Sequence, residues 1–247
     1  MGSIVTVRIP LTRLNNIVST LGIDRRQFHD GFRQVSTSTG YPIVYGGGET
    51  VRRRMLVSPN SFALPKTGKA GSLFVEYAAR VLIPDRIWWD TAHVVALYCE
   101  EPVLSNIFYA LNLKTDGDNR VYAEKSLVLW LNTTWGILTI LFNRQETRGR
   151  WTSLKMAQWR LLPVLDVRRL ESSSLRRIAS VFDKYKSTSP RRIPEQFDPK
   201  DPDPVRTGID RDFLRALKPS LDEVGIEKAL LGVYRRVHAA LKLWIKE

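Results

Sequence analysis

Cysteine occurs once in 247 residues, at Cys99 inside an apolar run. One thiol cannot build a disulfide framework, which fits a reducing cytoplasm and a small buried hydrophobe at that position. Histidine is nearly as scarce. His29, His93 and His238 stand far apart, with no cysteine or carboxylate at zinc-ligand spacing, so structural or surface roles are expected and no metal. Acids are in short supply: 25 Asp and Glu against 38 Lys and Arg give a formal net charge of +13. Such an excess makes a polyanion the natural partner, because each phosphate neutralised releases counterions. The start, MGSIVTVRIPLTRL, lacks an apolar core of signal-peptide length, so no export is expected. Gly46-Gly47-Gly48 is followed by no Gly-Lys-Ser/Thr ending and has no interleaved dinucleotide spacing, which leaves a flexible turn rather than a phosphate cradle.

Apolar residues are plentiful. At 43% hydrophobic and 10% aromatic, the chain can bury a sizeable core as one large domain or one domain with an appendage. The stretch Glu124 to Asp166 organises the rest. Ser126 to Leu131 and Trp135 to Phe142 are apolar nearly all round and predict two helices buried between other elements. Asn132, Thr133 and Thr134 break them apart and can cap the second. Those three polar residues, with charges at both ends, favour a core helix pair over a membrane span. Between Arg144 and Arg160 five basic residues (Arg144, Arg148, Arg150, Lys155, Arg160) face one acid, Glu146. This is either a solvated loop or a cationic loop presented by a rigid apolar scaffold. Gly149, between two arginines, permits a turn or a close approach. Leu161 to Leu165 reads as a strand.

Upstream, Leu11 to Leu21 predicts an amphipathic helix with Leu14, Ile17, Val18 and Leu21 on one face, ended by Gly22. Asp24 to Phe32 predicts a second. Arg52-Arg53-Arg54 precedes a strand at Met55 to Val57, its arginines pointing to alternate faces. Ser58 to Gly71, with two prolines, two glycines, Lys66 and Lys69, reads as a mobile basic loop. Leu73 to Pro84, Ile87 to Trp89, Ala92 to Cys99 and Leu104 to Leu113 read as strands, with Arg80, Arg86 and His93 decorating their sheet. Arg168 to Tyr185 is helical, a proline-rich linker follows, and Asp210 to Leu217 with Ile226 to Trp244 predict a C-terminal helical hairpin. The expected fold is α+β, a mixed sheet flanked by buried helices with that hairpin appended. Its divisions are 1–166, 167–205 and 206–247.

LWLNTTWGIL (129–138), ETRGRW (146–151) and LKMAQWRLLPVLD (154–166), in that order, resemble the closing half of the target recognition domain of N-6 adenine DNA methyltransferases of restriction-modification and phage-defence systems. GIDRRQFHDGF (22–32), the segment 80–113 and DPVRTGIDRDFLRAL (203–217) extend the likeness over most of the chain. The resemblance implies a module that binds double-stranded DNA and directs a catalytic domain or subunit. That partner would hold S-adenosylmethionine and an Asn/Asp-Pro-Pro-aromatic loop, and no Asn/Asp-Pro-Pro occurs here. In this reading Arg148 and Arg150, astride Gly149, read bases, while Arg144 and Lys155 contact phosphate. Trp151 wedges against a sugar or base, or anchors the loop. Arg86 is a duplex contact whose alternative is an ion pair with Asp85, Asp90 or Glu100; Lys66 and Lys69 add basic contacts. A nuclease reading rests on Asp198-Pro199-Lys200, where proline occupies what should be a strand. The remaining alternative is a stand-alone basic protein that binds nucleic acid or another protein.

Overall fold

The computed structural model describes residues 8–115, 117–143 and 151–246. The chain opens with β1 (Leu11–Arg13), α1 (Leu14–Ile17), β2 (Val18–Leu21), α2 (Arg25–Gly31) and β3 (Phe32–Val35). Next come β4 (Pro42–Val44), α3 (Glu49–Arg52), β5 (Ser61–Pro65), α4 (Gly68–Tyr77), β6 (Ala79–Pro84) and β7 (Arg86–Trp88). Strands β8 (Leu97–Ser105) and β9 (Phe108–Leu113) precede the central helices α5 (Asn119–Leu131) and α6 (Thr134–Asn143). β10 (Trp151–Ser153), α7 (Met156–Leu161) and β11 (Pro163–Leu165) complete the first part. A 3-10 turn at Val167–Arg169 then leads into α8 (Ser172–Tyr185), α9 (Ile193–Gln196), α10 (Pro204–Leu217) and α11 (Glu223–Lys246).

Seven strands make one mixed sheet in the order β2-β9-β6-β8-β4-β5-β3, parallel between β4 and β8 and antiparallel elsewhere. This is the expected α+β class with a helix-flanked mixed sheet. Two ribbons stand beside it, β1 with β11 and β10 with β7. α5 lies against β6, β8 and β9 on one side and α8 on another, with α10 also touching it. Enclosure on several sides explains its texture: Leu127 to Leu131 are consecutive and all buried, as expected for a helix with no solvent face.

The break between α5 and α6 falls at Asn132 to Thr134, and the helices diverge by 68°. Among the described residues no single helix is long and apolar enough to cross a membrane. Each polar group at the break has a partner, as buried polar groups require. The Asn132 side chain accepts from the Val95 N–H at 2.7 Å and donates to the carbonyls of Ala96 and Val128 at 2.8 and 2.9 Å. Thr133 Oγ1 donates to the Trp130 carbonyl and accepts from the Gly136 N–H at 3.2 Å, which caps α6. Asp210 of α10, fully buried, accepts from the Thr134 N–H at 2.8 Å, the Thr134 hydroxyl and the Tyr234 hydroxyl at 2.7 Å. Burial pushes the Asp210 pKa up, against the pull of Arg206 and those donors. Arg206 donates to the Asn132 carbonyl and, from Nη2, to Gln196 Oε1 at 2.6 Å. The expected C-terminal hairpin of α10 and α11 thus packs onto the core through this network.

Several strands and helices differ from expectation. Leu11 to Leu21 is not one helix but β1, α1 and β2. Leu14, Ile17, Val18 and Leu21 are all buried as the spacing demanded, but pairing with β11 and β9 overrides the local pattern. Gly22, at φ 47°, follows a strand; a Cβ there would lie 2.6 Å from the Ala110 nitrogen. Ser58 to Gly71 is no mobile loop, since Ser61 and Ala63 are buried in β5 between β3 and β4 and α4 begins at Gly68. Leu73 to Tyr77 is helical rather than extended. Met55 to Val57 makes only a single bridge, Leu56 to Tyr98, and Leu104 to Leu113 is broken by the β8–β9 turn. Val94 and Val95 precede β8 and bond to Arg52 and Asn132 instead of a strand. The proline-rich segment is ordered: Ile193 and Phe197 are buried and α9 lies within it.

Arg52 is buried at the end of α3, its guanidinium 5.0 Å from the Phe108 ring centre and its Nη1 donating to the Arg86 carbonyl at 2.8 Å. Gly47 is packed rather than free, because a Cβ there would come within 2.2 Å of Ile107 and 3.0 Å of Arg52. His93 is buried rather than decorating the sheet, with Nδ1 2.7 Å from the Thr91 hydroxyl. Burial, and then the Arg52 charge, lower its pKa from 6.5 to about 3.

Three outcomes follow for stability. Gly136→Ala places a Cβ 2.2 Å from the Trp130 carbonyl oxygen and 2.8 Å from Leu131 Cα, backbone that cannot give way, so urea unfolding should report a loss of about 3 kcal/mol. Asp210→Ala leaves three buried donors and Arg206 uncompensated and should cost about 3–5 kcal/mol in the same assay; a loss under about 1 kcal/mol would contradict the network's role. As the pH falls from 6.5 toward 3, unfolded His93 gains a proton that the folded chain refuses. Stability should therefore decline with acidification, by on the order of a few kcal/mol from this group. His93→Gln should flatten the dependence of melting temperature on pH across that window, and an unaltered slope would acquit His93.

Candidate nucleic-acid interface

The ribbon of β7 and β10 is built by alternation. Arg86, Trp88, Trp151 and Ser153 face outward, while Ile87 and Thr152 are buried. Register sets Trp151 opposite Trp88 and Ser153 opposite Arg86. The inner side is pinned, with Trp89 Nε1 donating to Thr152 Oγ1 at 2.7 Å and the Leu154 N–H to the Asp85 carbonyl at 2.9 Å. Trp159 Nε1 adds a bond to the Pro84 carbonyl, also 2.9 Å. On the outer side the Arg86 guanidinium lies 5.1 Å from the Trp151 ring centre, a cation–π contact worth about 0.5–1 kcal/mol at an exposed site. The Trp88 and Trp151 rings are 6.2 Å apart and inclined by 43°. Trp88 keeps 43% of its surface exposed.

Two residues past Ser153, Lys155 stands at a cleft of about 400 Å³ whose polar lining includes Asp24, Arg25, Arg26 and Asp85. The carboxylate of Asp24 is committed to capping α2: Oδ1 accepts from the Gln27 N–H at 2.8 Å, and Gln27 reciprocates to the Asp24 N–H. Arg25 and Arg26 therefore occupy the exposed first turn. Arg26 pairs with Asp30 at 3.7 Å, both side chains largely exposed, an attraction that solvent reduces to little. Further along α2, about 6 Å from Arg25 at 1.5 Å per residue, Lys66 Nζ donates to the His29 carbonyl at 2.6 Å. Lys69, exposed, begins α4 beside it, and Arg160 lines the neighbouring hollow that shares Met156 with the cleft.

Arg86 and Trp151, distant in sequence, are brought into stacking contact. Lys155 joins them through the adjoining cleft, and Lys66 and Lys69 gather at the other end of α2. Arg144, Arg148, Gly149 and Arg150 lie outside the described residues; the chain re-enters the ribbon at Trp151. Arg80 is drawn inward, 3.8 Å from Glu124, a buried carboxylate that Arg120 also contacts at 3.0 Å. Arg25, Arg26 and Trp88 were missed. The Asp24-Arg-Arg-Gln27 capping box and the period of two in Arg86-Ile87-Trp88 were the signals that could have found them. Among the described residues no group of three or more His, Cys, Asp or Glu could hold a metal ion. Asp198 Oδ1 accepts from the Lys200 N–H at 3.0 Å in a local turn.

The arrangement sets exposed cationic side chains beside exposed indole surface on a pinned scaffold. Set against family models, curated proteins and solved structures, the chain matches none of them.

Proposed function

We propose that the chain is the DNA-reading part of an adenine N-6 methylation system. It holds double-stranded DNA in the cytoplasm and brings a separate methyltransferase domain or subunit, which binds S-adenosylmethionine, to its site. The observation that carries the reading is the run of cations from Arg86 through Lys155, Arg25 and Arg26 to Lys66, beside the point where the basic segment 144–150 rejoins the fold. α2 alone covers about 10 Å, roughly three base pairs of rise, so these side chains suit phosphates along one strand. Arg148 and Arg150 would supply base readout from that segment, bidentately to guanine. The methylation context rests on the ordered motifs in 129–166.

The test is mobility shift of a duplex across a salt series. Neutralising about five phosphates predicts log K falling with log salt at a slope near −4 to −5, and Arg25→Ala with Lys155→Ala should make it shallower by about 2. No retardation even in dilute buffer would end the reading. Capture of a methyltransferase, with DNA methylation requiring this chain, separates it from a stand-alone basic protein.

A further inference from the structure

We propose that the outer face of the β7–β10 ribbon is a stacking site for one unpaired nucleobase, with Trp88 as the platform. This rests on the nucleic-acid reading above and names the part of the ligand that the site takes.

Exposed tryptophan has a cost that the fold avoids one residue later. Trp88 and Trp89 are neighbours, yet Trp89 is 2% exposed with its N–H bonded to Thr152, while Trp88 stands 43% open. A slip of one residue in the pairing would exchange them, and the register Trp151↔Trp88 forbids it. The indole is thus held outward by the same bonds that bury its neighbour. Three features specify an aromatic, anionic occupant. Trp88 keeps 43% of its surface open beside Trp151, whose ring lies 6.2 Å away at a tilt of 43°. Arg86 lies over Trp151, so a positive charge borders the aromatic surface. Lys155, with Arg25 and Arg26 behind it, begins the cationic track that a backbone leaving this point would follow. An apolar peptide would gain from the indoles but not from the guanidinium, and a fully paired duplex offers its base faces only at its ends. A base that has left its stack satisfies both, since every base has a π-face and carries phosphates on either side.

The experiment compares three probes at one salt concentration: a perfect duplex, the same duplex with a single unpaired adenosine, and the single strand. The wild-type chain should prefer the bulged duplex. Trp88→Ala should cut the ratio of bulged to perfect affinity about ten-fold, as loss of one stacked base implies, whereas Trp88→Phe should keep most of it. Lys155→Ala should weaken all three probes and leave the ratio standing. Equal melting temperatures for wild type and Trp88→Ala check the fold. A ratio near one in the wild type, or one unchanged by Trp88→Ala, overturns the inference while duplex binding stands. Failure of every probe to bind removes the proposed function as well.

Discussion

Asp210 is a carboxylate with no access to water, and it sits where α6 begins. A chain that bends inside its own core leaves backbone donors there, and each would cost about 1–3 kcal/mol if unmet. The bend at Asn132 to Thr134 therefore needs acceptors brought from elsewhere. α10 supplies Asp210, α11 supplies Tyr234 to the same carboxylate, and Arg206 takes the Asn132 carbonyl. Asn132 in turn ties the bend to Val95 and Ala96, just ahead of β8. One short polar segment thereby joins the central helices, the sheet and the C-terminal pair, and it fixes the direction in which α6 leaves the core.

The segment 144–150 starts from the end of a helix braced at its base and finishes in a ribbon pinned by Trp89, Leu154 and Trp159. Arg52 closes the arrangement from behind through the Arg86 carbonyl. The ribbon thus consists of short elements, three residues each in β7 and β10, that would not hold a shape in isolation and do so because their inner faces are core.

Charge was informative in sum and misleading in detail. The excess of +13 pointed to a polyanion, but Arg52, Arg80 and Arg206 turn inward to an aromatic ring, a buried glutamate and a carbonyl. Lys66 stands in a short bend between β5 and α4, and Lys69 in the first turn of α4, rather than in a mobile loop. Arg25 and Arg26, by contrast, stand exposed in the first turn of α2 behind the Asp24–Gln27 capping box. Local composition records how many cations there are; only packing shows which reach water.

Sequence alone determined the periodicities: two apolar helices with a polar break, a C-terminal helical pair, a buried thiol, and a strand expected at Leu161 to Leu165, of which Pro163 to Leu165 is extended while Leu161 ends α7. It also determined which residues of Leu11 to Leu21 are buried, though not in what element. Helical and extended backbones can both hide Leu14, Ile17, Val18 and Leu21 when partners differ, so the choice passed to β11 and β9. Tertiary structure decided the rest, because it depends on groups far apart in the chain. Arg86 meets Trp151, Asp210 meets Thr134, and a register set by the buried face turns Trp88 out and Trp89 in.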